Sequence, residues 1–523
     1  MDAEAIHQRR WKILGILCIS LFLAVVDNTI VNVALPTMSR SLKASNSQLQ
    51  WIVDAYSLVF ASLLLVGGSL GDRFGRKLML QSGLALFAGF SALAAFSSGA
   101  TSLIVLRGLM GVGSALIFPA TLAILTNVFR DPVERAKAIG AWSGVIGLAV
   151  ALGPITGGVL LRHFWWGSIF LVNLPIAAAA ILLGAKYVPT SKDPDTPPLD
   201  YKGFVTSIAA VFAVVYTTIQ APEHGWASAR TLGGYGFAAV ALALFVVIEF
   251  RQTHPMLDVA IFKNVRFTSA SLSITLCFFA FFGFIFLITQ YFQFVRGYDT
   301  LSSGLHTLPF AVVSVMVAPF SPRLAMRFGG RAVVTSGLAI MSLGFFLAAN
   351  VTATSSYWVP IVGPMALLAM GLGLTTAPST TMILAVLPPD KAGVGSAIND
   401  TTRELGGTLG VAVIGSVFSS VYGPKLVSAL KGLPIPGPAL EAARSSVGAA
   451  FEVARQTGGQ GGQLIANAAR SSFVDGWAAG CLVSAFVVLG AAALAATLLP
   501  GRISDRDQLD RDILEFGADL AHM

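Results

Sequence analysis

The sequence predicts an all-α polytopic membrane protein, and three observations carry that prediction. The chain has 523 residues, of which 55% are hydrophobic and only 11% charged. A water-soluble chain this apolar would expose large greasy patches. Its apolar residues gather into about fourteen runs, each near the ~20 residues a helix needs to cross a bilayer core. The charge is also sorted along the chain: roughly 22 Lys and Arg fall in short segments on the side of the N-terminus, against about 5 in short segments on the other side. That asymmetry puts both termini in the cytoplasm, and it makes the net charge of +8 a matter of topology rather than a nucleic-acid patch. Cys18, Cys277 and Cys481 lie inside apolar runs, so neither a disulfide nor a metal cluster is expected. The first run is too long for a cleaved signal peptide and should stay as a helix.

Taken in order, the first helix follows a short basic lead and carries Asp27 past its midpoint, toward the outer side. An ionised carboxylate there is unfavourable by ~3 kcal/mol or more unless it meets a wet cavity or a partner. It is therefore either half of a structural ion pair or a proton or cation site. The second helix opens Trp51-Ile52-Val53-Asp54-Ala55-Tyr56, with Asp54 one turn inside the outer boundary. Asp54 reads equally as a solvated rim carboxylate or as part of a site. Between the second and third helices lies Gly68-Ser-Leu-Gly-Asp72-Arg73-Phe-Gly75-Arg76-Lys77, a compact charged turn whose glycines allow a tight backbone path.

This turn resembles the loop signature of the major facilitator superfamily, G-x-L-x-D-R-x-G-R-K, at every specified position. The resemblance implies a fold of two six-helix bundles, with Gly68, Asp72, Arg73, Gly75, Arg76 and Lys77 forming a cytoplasmic gate. The first-helix run Val26-Asp27-Asn28-Thr29-Ile30-Val31-Asn32 is similar to that of the fourteen-helix drug:proton antiporters of the superfamily. The second-helix segment looks most like their quaternary-ammonium exporters.

The fourth helix holds Arg107 ahead of Met110-Gly111-x-Gly113, similar to the superfamily's fourth-helix motif with Met110 where Gln is common. Arg107 stays charged in any plausible environment and needs an acid at its own depth. Counting ~1.5 Å per residue puts Asp27 at that height, as a clamp or as part of a relay. In the fifth helix Gly153-Pro154-Ile155-Thr156-Gly157-Gly158 is similar to the antiporter signature G-x-x-x-G-P-x-x-G-G, with Ala149 in place of the leading glycine. Pro154 removes one helix hydrogen bond and the glycines permit close helix contact, which suits a bendable helix. The sixth helix opens Phe170-Leu171-Val172-Asn173-Leu174-Pro175, again like the antiporters.

These readings divide the chain into an N-terminal six-helix bundle (1–190), a linker with two inserted helices (191–252), a C-terminal six-helix bundle (253–500) with a long outer loop over 421–473, and a cytoplasmic tail (501–523). The total is fourteen transmembrane helices. The second bundle echoes the first: Leu324 to Arg331 repeats Leu70 to Lys77 at an offset of 254, and Met370 to Gly373 repeats Met110 to Gly113 at 260. The echoes have Met326 for Asp72 and Leu367 for Arg107. In the thirteenth helix, Asp400 and Glu404 are four apart on one face, ~12 and ~18 Å from its inner end. Arg403 adjoins that face and could neutralise one of them. Two acids and one arginine leave net negative charge that a proton or a cation can satisfy. In the outer loop, 439–455 reads as an amphipathic helix broken at Gly458 to Gly462, either a cap on the outer mouth, a surface segment or solvated filler.

No phosphate-binding loop occurs and the six histidines form no ligand set, so neither ATP hydrolysis nor a membrane metalloenzyme is expected, and no cofactor beyond a proton gradient. The expected protein is no enzyme but a proton-driven antiporter in the bacterial plasma membrane, monomeric, exporting small amphipathic or cationic molecules. Protons and membrane lipids are its other partners. Export or flipping of a lipid or endogenous metabolite on the same fold, uptake by symport, and a transport-free sensor are the alternatives.

Overall fold

In hydrocarbon every backbone N–H and C=O must find its partner within the segment, so apolar runs of this length can only be helices. The computed structural model describes residues 3–42, 46–191, 200–253, 255, 257, 259–386, 392–445 and 447–499. The first half holds α1 (Ala3–Leu42), α2 (Asn46–Phe74), α3 (Arg76–Ala95), α4 (Ala100–Val128), α5 (Pro132–His163), α6 (Ser168–Leu171) and α7 (Asn173–Tyr187). The inserted pair is α8 (Tyr201–His224) and α9 (Ala229–Arg251). The second half holds α10 (Val265–Gln290), α11 (Thr300–His306), α12 (Leu308–Val317), α13 (Ser321–Phe328), α14 (Gly330–Ala348), α15 (Val362–Ala385), α16 (Ala392–Ala429), α17 (Gly437–Ser445), α18 (Val447–Thr457) and α19 (Gly459–Leu498).

Among the described residues, eleven helices are long and apolar enough to cross a membrane, and two further spans are bent. One bends by 53° between Leu64 and Val66 in α2, the other by 47° between α12 and α13. These make thirteen spans among the described residues, and α8 adds a shorter apolar stretch, Tyr201–Thr217, where the sequence led us to expect the fourteenth. The architecture is two helical halves, with α8 and α9 between them in the chain. Each half has its own apolar core, one built from Leu17, Phe87, Leu103 and Trp142 and the other from Phe281, Tyr291, Phe345 and Trp477. The halves meet where α5 packs on α11, α12 and α15, and where α16 packs on α2 and α4. At the second seam α8 also touches both α2 and α16: Leu58, Ala61 and Val215 form a small core with Trp51, Tyr216 and Leu405 around it.

The duplicated loop is visible in the backbone. Gly75 between α2 and α3 has φ +107° and Gly329 between α13 and α14 has φ +89°, a region that L side chains rarely enter. Arg73 lies over Phe74 at 5.7 Å, and Arg327 over Phe328 at 5.2 Å.

The outer segment differs from the loop expected over 421–473. α16 continues to Ala429 and α19 already begins at Gly459, with α17 and α18 between them. Helices end where a residue stops them rather than at an apolar boundary; here the stops are Gly432 at φ +90° and Gly458 at φ +63°. The linker 192–199 and the tail 501–523 lie outside the described residues.

Candidate functional site

Two clusters of charge lie inside the helices. In the first half, Arg107 on α4 forms an ion pair with Asp27 on α1, and neither side chain has any exposed surface. A carboxylate without a partner could not persist there, and this one is enclosed. Asn173 donates to Asp27 Oδ1 at 2.7 Å and to Ser91 Oγ at 3.0 Å. Arg107 Nε donates to the Ile52 carbonyl at 3.0 Å, and the guanidinium lies 4.5 Å from the Tyr56 ring centroid. Tyr56 in turn pairs with Ser114 at 2.6 Å. The network ties α1, α2, α4 and α7 together at one depth. Sequence reasoning missed Asn173 and Tyr56 as members; the signal for Asn173 was an amide alone in an apolar run.

In the second half, Asp400, Arg403 and Glu404 sit on α16, with Asp400 and Arg403 buried and Glu404 half-buried. Arg403 makes no ion pair with either acid among the described residues. It points across the seam between the halves, 4.8 Å from the Trp142 ring of α5 and 5.3 Å from the Phe278 ring of α10. Its Nη2 donates to Thr380 Oγ1 at 2.9 Å, and Thr380 donates to Asn399 at 3.0 Å. Asp400 stays within electrostatic range of Arg403, and the rings offer the cation a negative π-face and a low-dielectric shelter besides. Glu404 takes neither an ion pair nor a hydrogen bond among the described residues, and it lies within electrostatic reach of Asp400. Tyr56 stands within electrostatic range of Asp27, Arg107 and Glu404.

The signature loop folds back on its own half. Asp72 accepts from Arg76 Nη2 at 2.8 Å and from Nε at 2.9 Å, both residues being buried. Lys77 Nζ donates to the Ala185 carbonyl at 2.8 Å and the Arg76 amide to the Ser191 carbonyl at 2.9 Å, which pins the end of the sixth span over the loop. Gly68 is buried in α2. On α5, a side chain at Gly153 would collide with Thr29 of α1, and one at Gly158 would meet Leu301 of α11 at 3.0 Å. Gly157 is buried beside them and Pro154 lies inside a continuous helix. These glycines set α5 tightly between the first helix and the opposite half. The side chain of Asp54 lies outside the described residues.

Comparison with known proteins decides the family. The family profile described as Major Facilitator Superfamily matches residues 17–411. The chain is a member of the Major Facilitator Superfamily. It is a multi-pass membrane transporter and not an enzyme. Similar relatives include the multidrug efflux pump LfrA of Mycolicibacterium smegmatis, 37% identical over 93% of this chain and 95% of that one. The methyl viologen resistance protein SmvA of Salmonella typhimurium is 36% identical over 89% and 93%. The tetracenomycin C resistance and export protein of Streptomyces glaucescens is 32% identical over 94% and 92%. Among solved structures, the human organic anion transporter MFSD10 (TETRAN) superimposes with a TM-score of 0.59 over 92% of this chain and 99% of that one, at 15% identity, a likeness of fold.

Proposed function

We propose that this transporter exports amphipathic and cationic drugs in exchange for inward-moving protons, across the bacterial plasma membrane and with both termini cytoplasmic. Its relatives, a multidrug efflux pump, a methyl viologen resistance protein and a tetracenomycin C resistance and export protein, support the cargo class and the outward direction. One observation carries the coupling: Glu404 is a half-buried carboxylate at mid-helix with no ion pair among the described residues, beside a second acid, at the seam between the halves. Two like charges in a low dielectric are satisfied by a proton or by a substrate cation, and competition for that charge is the exchange. Asp400 and Glu404 are the exchange site in this reading. Asp27, enclosed by Arg107 and Asn173, is a strut that relays movement between helices. The halves rock about the seam to present the acids to either side, with the loop at Asp72, Arg73, Arg76 and Lys77 gating the cytoplasmic face. The fuel is the proton gradient, with no bound cofactor, and a single chain suffices.

The test is dye movement in inverted vesicles energised by a pH gradient alone. Wild type is expected to concentrate a cationic dye while the gradient lasts and to lose it when the gradient is collapsed. Transport indifferent to the gradient, or full transport with both Asp400→Asn and Glu404→Gln in place, overturns this reading.

A further inference from the structure

The loop that the two halves share is neutralised in one and left bare in the other. In the first half Asp72 takes up Arg76, and both are buried. In the second half Met326 stands at the place of Asp72, while the basic residues remain. Arg323, Arg327 and Arg331 are all exposed, and none meets an acid among the described residues. Arg323 lies 5.6 Å from the Phe320 ring centroid, and Arg327 lies 5.2 Å from that of Phe328. Residues four apart share a helix face, so α13 carries two rows: Phe320, Leu324 and Phe328 in one, Arg323 and Arg327 beside it. The apolar row is exposed by 54%, 36% and 56% in turn, and Pro322 and Ala325 are buried on the other side. α13 also departs by 47° from the direction of α12, which tilts it out of the span. Charge sorting across the bilayer explains why arginines lie here. It does not explain their alignment beside an exposed row of rings on a helix bent out of its span.

We propose that α13 is a docking surface for acidic phospholipids of the cytoplasmic leaflet, with Arg323, Arg327 and Arg331 on the phosphates and Phe320, Leu324 and Phe328 at the acyl boundary. It rests on the topology proposed above, which puts α13 at the inner leaflet. Arginine suits the task, because its planar guanidinium gives a phosphate two parallel charge-assisted hydrogen bonds. A helix with cations on one face and rings on the next lies in the plane of the membrane interface. Each cation so placed strengthens its hold on an anionic leaflet about fivefold. The surface also backs onto the seam. A side chain at Gly140 of α5 would meet the Ala318 carbonyl at 3.0 Å and Pro322 at 3.5 Å. α13 thus stands between the leaflet and a contact that joins the two halves, and a lipid that holds α13 steadies that contact.

The experiment uses the full chain purified in an uncharged detergent and follows its melting temperature as phosphatidylglycerol is titrated in. Phosphatidylcholine with the same acyl chains is the comparison, and the readout is the lipid concentration at half the full shift. Wild type is expected to reach it with the acidic lipid at a concentration about tenfold or more below that for the zwitterionic one. The triple variant Arg323→Gln, Arg327→Gln and Arg331→Gln should lose most of that difference. Lys12→Gln with Lys202→Gln and Lys263→Gln removes the same charge from other exposed positions and should move the midpoint by about twofold at most. Phe320→Ser with Phe328→Ser keeps every cation and should also weaken the acidic lipid; it decides the matter if the arginine variant does not fold. Wild type that takes both lipids alike overturns the proposal, as does an arginine variant that binds like wild type. A lysine variant that loses as much as the arginine variant overturns it too, by reducing the effect to bulk charge. So does glycerol phosphate that matches the lipid, since the surface would then read phosphate and not a membrane. None of these readouts involves transport, so failure here and failure of the export reading are distinct.

Discussion

The two charge clusters are built from the same residue types and are finished differently. In the first half Asp27 and Arg107 close on each other, and Asn173, the Ile52 carbonyl and the Tyr56 ring surround them, with Arg107 Nη2 left without a hydrogen bond among the described residues. In the second half the arginine lies against the aromatic rings of the seam without an ion pair among the described residues, and Glu404 is left half-buried. A fully buried ion pair resists change, because removing either member strands the other. A half-buried acid with no ion pair among the described residues is the place where the proposed exchange can act. The contrast sets a clamp in the first half against the proposed exchange site in the second.

That assignment can be broken most sharply at Arg107. Arg107→Leu should lower stability by about 3–5 kcal/mol, since it strands Asp27 in the apolar interior. The melting temperature of the detergent-purified protein checks this, and adding Asp27→Asn should restore part of the loss. A fully stable Arg107→Leu protein would erase the contrast between the clusters. At the next level, Glu404→Gln should reduce gradient-driven dye export about tenfold or more while moving the melting temperature little, the magnitude general acid–base and proton-carrying groups commonly show. If the melting temperature falls as far as it does for Arg107→Leu, the second cluster is structural as well. Gly153→Ala presses a methyl group on Thr29 and should destabilise by about 1–3 kcal/mol, by overpacking at the α1–α5 contact. Smallest of all, Gly75→Ala and Gly329→Ala should each cost about 1–2 kcal/mol through the left-handed backbone they share. Unequal effects there, read from melting curves, would mean the two halves no longer use the loop in the same way.

Much of the fold was legible because apolar run length is a local property. Each span shows itself within ~20 residues, and loop basicity orders the spans without any knowledge of packing. The Asp27–Arg107 contact was legible for a similar reason: helical rise converts residue number into depth, and a permanent cation needs an anion at that depth. The direction of Arg403 was not. It depends on Trp142, in the opposite half and far away in sequence, and no pattern along α16 records which ring lies across the seam. The ends of α16 and α19 escaped for another reason. Beyond the bilayer nothing apolar marks a boundary, and the stopping points were set by Gly432 and Gly458. The bend in α2 between Leu64 and Val66 was equally hidden, because no proline marks it.

The position of α8 has its own consequence. By resting on both α2 and α16 it stands as a gasket along one of the two seams, with Leu405, the residue after Glu404, against its flank. That flank of the helix carrying Asp400 and Glu404 is thereby covered by protein rather than by acyl chains. A relative lacking α8 would leave the same flank of α2 and α16 bare.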